Sequence, residues 1–304
     1  MNAASPPDVS HTRIAQRLGA LAPGDGPTPS RLDGVTFARA SESTVALVPM
    51  MYEPGICLAL QGRKRVHFAG RTFVYDAGQL LVVSAPLSVE CETLATPDAP
   101  VLAMFLRTDL TMLAELLLAL DDSQGDAWAE PTGIVASPLT EPLADAIGRL
   151  LDALVSPVDA RILGPAIVRE IFYRVLTGEQ GDSLRAALSH RGEFGQISRA
   201  LRRIQRDCAA PLDVATLARE AHMSVASFHH KFKALTSTSP MQYLKATRLH
   251  RARQLMLQQG VGAAAAALSV GYESPSQFSR EFKRLFQRTP TEEIAQMRGA
   301  GTAL

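Results

Sequence analysis

The chain has 304 residues, 46% of them hydrophobic and 20% charged, a balance that suits two globular domains better than one. No apolar run reaches the roughly 18–20 residues that cross a bilayer, and no basic start followed by an apolar stretch marks a secretion signal. The net charge of +1 conceals a division, because residues 190–304 hold 17 Lys and Arg against 8 Asp and Glu, which leaves the remainder acidic.

In chain order, residues 1–10 read as a disordered tail. Residues 30–106 read as β-structure, with short apolar runs at Thr44–Val48, Ile56–Leu60, Arg65–Phe68, Arg71–Tyr75, Leu80–Ser84, Val89–Thr93 and Val101–Leu106. Gln61-Gly62, Ala69-Gly70 and Ala77-Gly78 punctuate them at hairpin-like intervals, which suggests a sandwich or barrel. Three helices follow. Leu110–Leu120 is apolar nearly all round and is expected to be buried. Glu141–Leu154 and Ala160–Leu176 each carry one apolar stripe. Their leucine-rich faces suit either an internal core or a second subunit. The polar stretch Thr177–Asp182 reads as a connection between domains.

From Gln196 onward the chain is expected to be helical: Gln196–Asp207, Asp213–Ala221, Ser224–Thr236, Pro240–Leu257, Val261–Leu268, Ser274–Phe286 and Thr289–Met297. Within this region the sequence matches itself at an offset of 50 residues. Phe228, Phe232, Lys233 and Leu235 align with Phe278, Phe282, Lys283 and Leu285; Ser224 aligns with Ser274, Ala221 with Gly271, and Pro240 with Pro290. Phenylalanines at i and i+4 share one helical face, so each copy has an apolar underside and a polar outer side. The outer sides carry His229, His230 and Lys231 in one copy and Ser279, Arg280 and Glu281 in the other. A short helix, a tight turn and a Ser-capped helix make a helix-turn-helix, whose second helix enters a major groove. The turns are read at Ala221-His222-Met223 and Gly271-Tyr272-Glu273, with small residues 221 and 271 allowing the bend. The joining helix spans roughly 27 Å at 1.5 Å per residue. With helix widths added, the heads would sit about 34 Å apart, one turn of B-DNA. A basic domain of this kind attracts the phosphate backbone.

These residues resemble the AraC/XylS family of bacterial transcription regulators. The likeness is strongest over the second head, from Gly271-Tyr272-Glu273-Ser274 through Phe278, Arg280, Phe282, Lys283 and Phe286 to Pro290, and extends to Arg248–Leu255 in the joining helix. It covers about residues 190–298. Ser237 and Gln287 depart from the glycine the family usually carries after the recognition helix. The resemblance implies base-reading roles for Val225, Ala226, His229 and His230 in the first head and for Ser276, Gln277 and Arg280 in the second. Arg suits guanine and Gln suits adenine. Lys233, Lys283 and Arg284 suit phosphate.

The stretches Cys57–Arg65 and Val74–Leu81 resemble the sensor half of such regulators. This implies an α+β chain: a cupin-like β-barrel with helical extension over residues 1–185, then an all-α domain over 190–304 with helix-turn-helix motifs at about 213–236 and 261–286. It also implies a small-molecule effector, promoter DNA and RNA polymerase as partners, a homodimer, and activation of transcription in the cytoplasm. Candidate lining residues of the ligand pocket are Met50, Tyr52, Cys57, Phe73, Tyr75 and Cys91, although each reads more readily as simple core. His67 is the only histidine in the barrel region, so no metal or other cofactor is expected. No phosphate loop or Ser/His/Asp set stands out, and no enzyme is expected. Cys57, Cys91 and Cys208 follow no redox spacing, although Cys57 or Cys91 would sense oxidants or electrophiles if its thiol pKa were lowered. The alternatives are a cupin-type enzyme linked to a DNA-binding domain and a ligand-independent DNA-binding protein.

Overall fold

Among the described residues of the N-terminal half, ten short strands pair into two antiparallel sheets rather than one closed barrel. The computed structural model describes residues 9–44, 47–121, 133–179, 181, 185 and 192–299. Helix α1 (Val9–Leu21) precedes β1 (Gly26–Pro29), β2 (Val35–Ala40), β3 (Val48–Tyr52), β4 (Gly55–Gln61), β5 (Arg63–Phe68), β6 (Arg71–Asp76), β7 (Gln79–Val83), β8 (Leu87–Leu94) and β9 (Val101–Arg107). Helix α2 (Leu110–Asp121) and strand β10 (Ile134–Pro138) come next, then helices α3 (Glu141–Val155), α4 (Pro157–Ile162) and α5 (Gly164–Leu176). One sheet has six strands in the order β1-β2-β9-β4-β7-β10; the other has four, β3-β8-β5-β6.

The centre of the six-stranded sheet is buried on both faces, which is why β4, β7 and β9 read as nearly unbroken apolar runs. Ile56 and Leu58 of β4 and Leu80 and Val82 of β7 face the helices, against Ile14, Leu18, Ile147, Leu150 and Phe172. The alternate residues Ala59, Leu81 and Val83 face the four-stranded sheet, against Val66, Tyr75, Val89 and Cys91. The result is three layers: helices, sheet, sheet.

Several expectations need correction. Thr44–Val48 is not a strand: β3 begins at Val48, Thr44 instead ties its backbone and hydroxyl to Thr93, and residues 45–46 lie outside the described residues. Of the tail expected over 1–10, residues 1–8 lie outside the described residues, and Val9 and Ser10 belong to α1 instead. Ala160–Leu176 is two helices, not one. Pro165 has no N–H for a helical bond, and its ring would meet the carbonyl four residues back, so the first helix stops and a second starts. Helix α2 is not buried all round: Leu113 and Leu116 face inward while Leu118 is 61% exposed. Part of the expected connection over Thr177–Asp182 lies outside the described residues.

The C-terminal half is helical: α6 (Gly192–Arg206), α7 (Val214–Glu220), α8 (Val225–Thr236), α9 (Pro240–Gln259), α10 (Ala263–Ser269), α11 (Pro275–Phe286) and α12 (Pro290–Gly299). It has two cores. Phe228, Phe232 and Leu235 of α8 pack on Tyr243 and Leu244, near the start of α9. Phe278, Phe282 and Phe286 of α11 pack on Leu249, Ala252 and Met256, further along the same helix. One continuous helix of 20 residues, about 30 Å long, thus carries both units. Gly260, at φ 68°, ends it.

The two halves touch. Ala85, between β7 and β8, belongs to the core of the first helical unit. Tyr243 of α9 is fully buried and donates its hydroxyl to the Pro86 carbonyl at 2.8 Å, while accepting from Gln205 Nε2 at 3.3 Å.

Candidate nucleic-acid interface and sensor cavity

Both candidate reading helices are placed by the same devices. Ser224 Oγ accepts from the Ser227 amide at 3.2 Å, and Ser274 Oγ accepts from the Gln277 amide at 3.3 Å. Each bond satisfies an amide that the first helical turn would otherwise leave unpaired. The phenylalanine pairs Phe228–Phe232 and Phe278–Phe282 anchor the undersides, with ring centroids 5.5 and 5.4 Å apart. Outward on α8 lie Val225, Ala226, His229, His230 and Lys233, all exposed. Outward on α11 lie Ser276, Gln277, Arg280, Lys283 and Arg284, also exposed. The ten residues expected to meet DNA therefore stand on two solvent-facing helix surfaces, each mounted on α9.

The repeat is less regular than the 50-residue match implies. The offset of 50 holds between α8 and α11, but α7 and α10 are related by 49 residues, so the second turn is one residue longer. The left-handed residue of the first turn is His222 at φ 54°, not Ala221, and it corresponds to Gly271 at φ 84°. Ala221 ends α7 at φ −82° and corresponds instead to the buried Val270. Glycine at 271 has a second cause: a Cβ there would stand 2.4 Å from the Ala209 carbonyl oxygen.

Glu281 is not an outward residue. Its carboxylate accepts from Lys245 Nζ on α9 at 2.9 Å, from Tyr272 hydroxyl in the turn at 2.7 Å, and from Gln277 Nε2 at 3.2 Å. Burial works against its ionisation, yet those three hydrogen bonds outweigh it and hold the carboxyl below the usual range. The clamp fixes α11 to the joining helix and orients Gln277, which keeps one amide N–H and its carbonyl for a base edge. Arg248, within the family-like stretch of α9, faces inward: Nε and a terminal nitrogen donate to the carbonyls of Cys208 (2.7 Å) and Ala210 (3.0 Å).

In the N-terminal half, a cavity of about 370 Å³ opens between the two sheets. Of the six residues expected there, Met50, Tyr52, Cys57 and Tyr75 line it. Cys91 sits one bond behind, donating Sγ–H to the Tyr52 hydroxyl at 3.3 Å, and Tyr52 and Tyr75 hydroxyls lie 3.1 Å apart. Phe73 is part of the surrounding core, with Arg71 stacked over its ring at 5.1 Å. Burial pushes the Cys57 thiol up to about 12, only partly countered by Lys64, and burial raises Cys91 as well. Both thiols are therefore held as neutral S–H, the form that does not attack electrophiles. His67 Nδ1 pairs with Thr72 hydroxyl at 3.0 Å.

Sequence reading missed Lys64, Glu53, Phe105, Arg107 and Gln254, which also line the cavity. Lys64 was findable: it alternates in phase with Val66, both buried, along a strand that begins two residues earlier than read. Gln254 was not, because it reaches the cavity from α9. A second cleft, about 500 Å³, lies between the halves, with Met51 and Glu53 on one side and Gln205, Arg206, His250 and Arg251 on the other.

Comparison with known proteins follows this division. The family model of the AraC-type transcriptional regulator N-terminus matches residues 31–183, and a helix-turn-helix domain model matches residues 217–296. Over 244 residues the chain is 23% identical to the thermoregulatory protein LcrF of Yersinia pestis, covering 79% of this chain and 88% of that one. It is 24% identical over 243 residues to the HTH-type transcriptional regulator ExsA of Pseudomonas aeruginosa, covering 79% and 85%. In fold it is similar to unsaturated fatty acid-bound wild-type ToxT from Vibrio cholerae, with a TM-score of 0.61 at 12% identity, over 89% of this chain and 96% of that one.

Proposed function

The chain belongs to the AraC-type transcription regulators, and from that membership we propose how its parts divide the work. Residues 190–304 bind promoter DNA, with α8 and α11 in successive major grooves on one side of the duplex. Residues 1–185 hold a small-molecule effector between the sheets. The observation that carries this reading is the pair of exposed polar helix faces mounted on one continuous helix about 30 Å long, close to the 34 Å turn of B-DNA.

Gln277 and Arg280 read bases in the second head, with Ser276 beside them. Val225, Ala226, His229 and His230 form the corresponding face of the first head, and its small and imidazole side chains fit by shape more than by bidentate pairing. Lys233, Lys283 and Arg284 hold phosphates and set register. The effector signal passes through the contacts between the halves: Gln254 of α9 lines the effector cavity, and Tyr243 of the same helix is bonded to the sensor at Pro86. A ligand-bearing structural neighbour, ToxT, supports small-molecule control.

The chain acts without catalysis, in the cytoplasm, by recruiting RNA polymerase as an activator. Exposed Val155, Val158, Ile162 and Leu163 at the outer end of the helical layer support a homodimer. Among the described residues no helix is long and apolar enough to cross a membrane.

Replacing Arg280 by alanine tests the base-reading assignment. Affinity for one specific promoter is expected to fall by about 1–3 kcal/mol, while affinity for random DNA of equal length falls much less. Equal loss on both would reduce Arg280 to a phosphate contact.

A further inference from the structure

Lys64 is buried to 5% exposure on β5, between the sheets, and it lines the cavity. Among the described residues its ammonium has neither a hydrogen-bond nor an ion-pair partner. Its stem is thus packed between the sheets while its ammonium is presented to the cavity without a counter-charge. The other charges around this cavity answer one another: Arg107 pairs with Asp33 at 2.7 Å, and Glu53 faces Arg107 rather than Lys64. The thiols that feel the Lys64 charge, Cys57 and Cys91, are neutral, as is Tyr75, its register partner across the strand pair, whose hydroxyl meets that of Tyr52.

We propose that the inter-sheet cavity is a carboxylate site, in which one carboxylate of an organic acid pairs with Lys64 and accepts from the Tyr52 or Tyr75 hydroxyl while the apolar remainder lies against Met50, Ala103 and Phe105. The inference rests on the reading of this cavity as the effector site and names the chemical class it takes. A single ammonium between neutral hydroxyls matches one negative charge, whereas phosphate sites gather several cations or backbone amides. The volume of about 370 Å³ accommodates a compact acid, and the apolar wall selects one with a hydrocarbon or aromatic body. The lysine thus gains its counter-charge on binding.

The full-length protein is titrated with octanoate, phenylacetate and benzoate, each beside its primary amide, by calorimetry and thermal unfolding. At least one acid is expected to bind and to raise the unfolding midpoint, with its amide at least tenfold weaker. Lys64→Met keeps length and volume; it is expected to lose at least tenfold in affinity for that acid and to bind the amide as before. An amide that binds the unaltered protein as tightly as its acid overturns the carboxylate assignment but leaves the cavity an effector site. Binding of neither series at millimolar concentration overturns both. Because the acid-against-amide comparison uses the unaltered protein, it decides even if Lys64→Met fails to fold.

Discussion

Ser237 and Gln287 close the two recognition helices in the left-handed region, at φ 58° and 60°. A side chain there costs about 1–2 kcal/mol that glycine avoids, although glycine gives part of it back as unfolded-state entropy. Gln287 recovers some of the cost, since its Nε2 donates to the Arg284 carbonyl at 2.8 Å. Among the described residues the Ser237 hydroxyl makes no such bond; only its amide donates, to the Lys233 carbonyl at 2.8 Å. Ser237→Gly is therefore expected to stabilise the protein by about 0.5–1 kcal/mol in urea unfolding, and Gln287→Gly by less. A Ser237→Gly protein no more stable than the parent would mean the strain is relieved elsewhere. Both positions were legible in the sequence, because the repeat fixes where each helix ends. Glu281 was not legible: it lies between exposed Arg280 and buried Phe282, and its partner Lys245 is 36 residues away on another helix.

At the scale of elements, periodicity revealed whatever had a clear period. All seven C-terminal helices were expected within a few residues of their observed ends, since each has an apolar stripe and several have a cap. What failed was local information too weak to outvote tertiary context. Strands β1 and β2 contain proline or small residues, and β10 is only five residues long, so each depends on its neighbour in the sheet. Helix α9 holds a feature that no pattern suggests. His250 is 4% exposed, its Nε2 has no hydrogen-bond partner among the described residues, and its ring stands edge-on to Phe286 at 5.2 Å. Burial, and then the Arg253 cation, depress its pKa well below the ordinary value. The unfolded chain takes up a proton near about 6.5, and the folded chain does so only at lower pH. The contribution of His250 to stability is thus complete above that pH and falls as pH drops below it, by up to about 1.4 kcal/mol per unit. Unfolding midpoints measured from pH 7.5 to 5 are expected to fall more steeply for the parent than for His250→Asn. Parallel curves would show that the imidazole protonates without penalty.

At the scale of the molecule, charge already separated an acidic half from a basic one, and the internal match identified the basic half as two related units. The junction between the halves was invisible, because Tyr243 and Pro86 are 157 residues apart and neither belongs to a motif that points to the other. That junction joins the N-terminal half to the helix that carries both helix-turn-helix units. Tyr243→Phe removes the hydroxyl and leaves the Pro86 carbonyl without this donor, a cost of about 1–3 kcal/mol for a buried group. Calorimetry is expected to show the variant melting earlier, with the sensor and DNA-binding transitions further apart than in the parent. An unchanged melting profile would mean that Ala85 and the surrounding packing hold the halves together without the hydrogen bond.

The central claim is that α8 and α11 read one face of a single duplex because α9 holds them a fixed distance apart. It is tested most directly on an operator selected from random DNA, by inserting about 5 bp, half a helical turn, between the segments protected by the two heads. One segment then rotates to the far side of the duplex. Specific affinity is expected to drop to that of a single head, with Arg280→Ala abolishing what remains if the second head is the one still engaged. Undiminished affinity for the inserted operator would contradict a rigid two-headed reader.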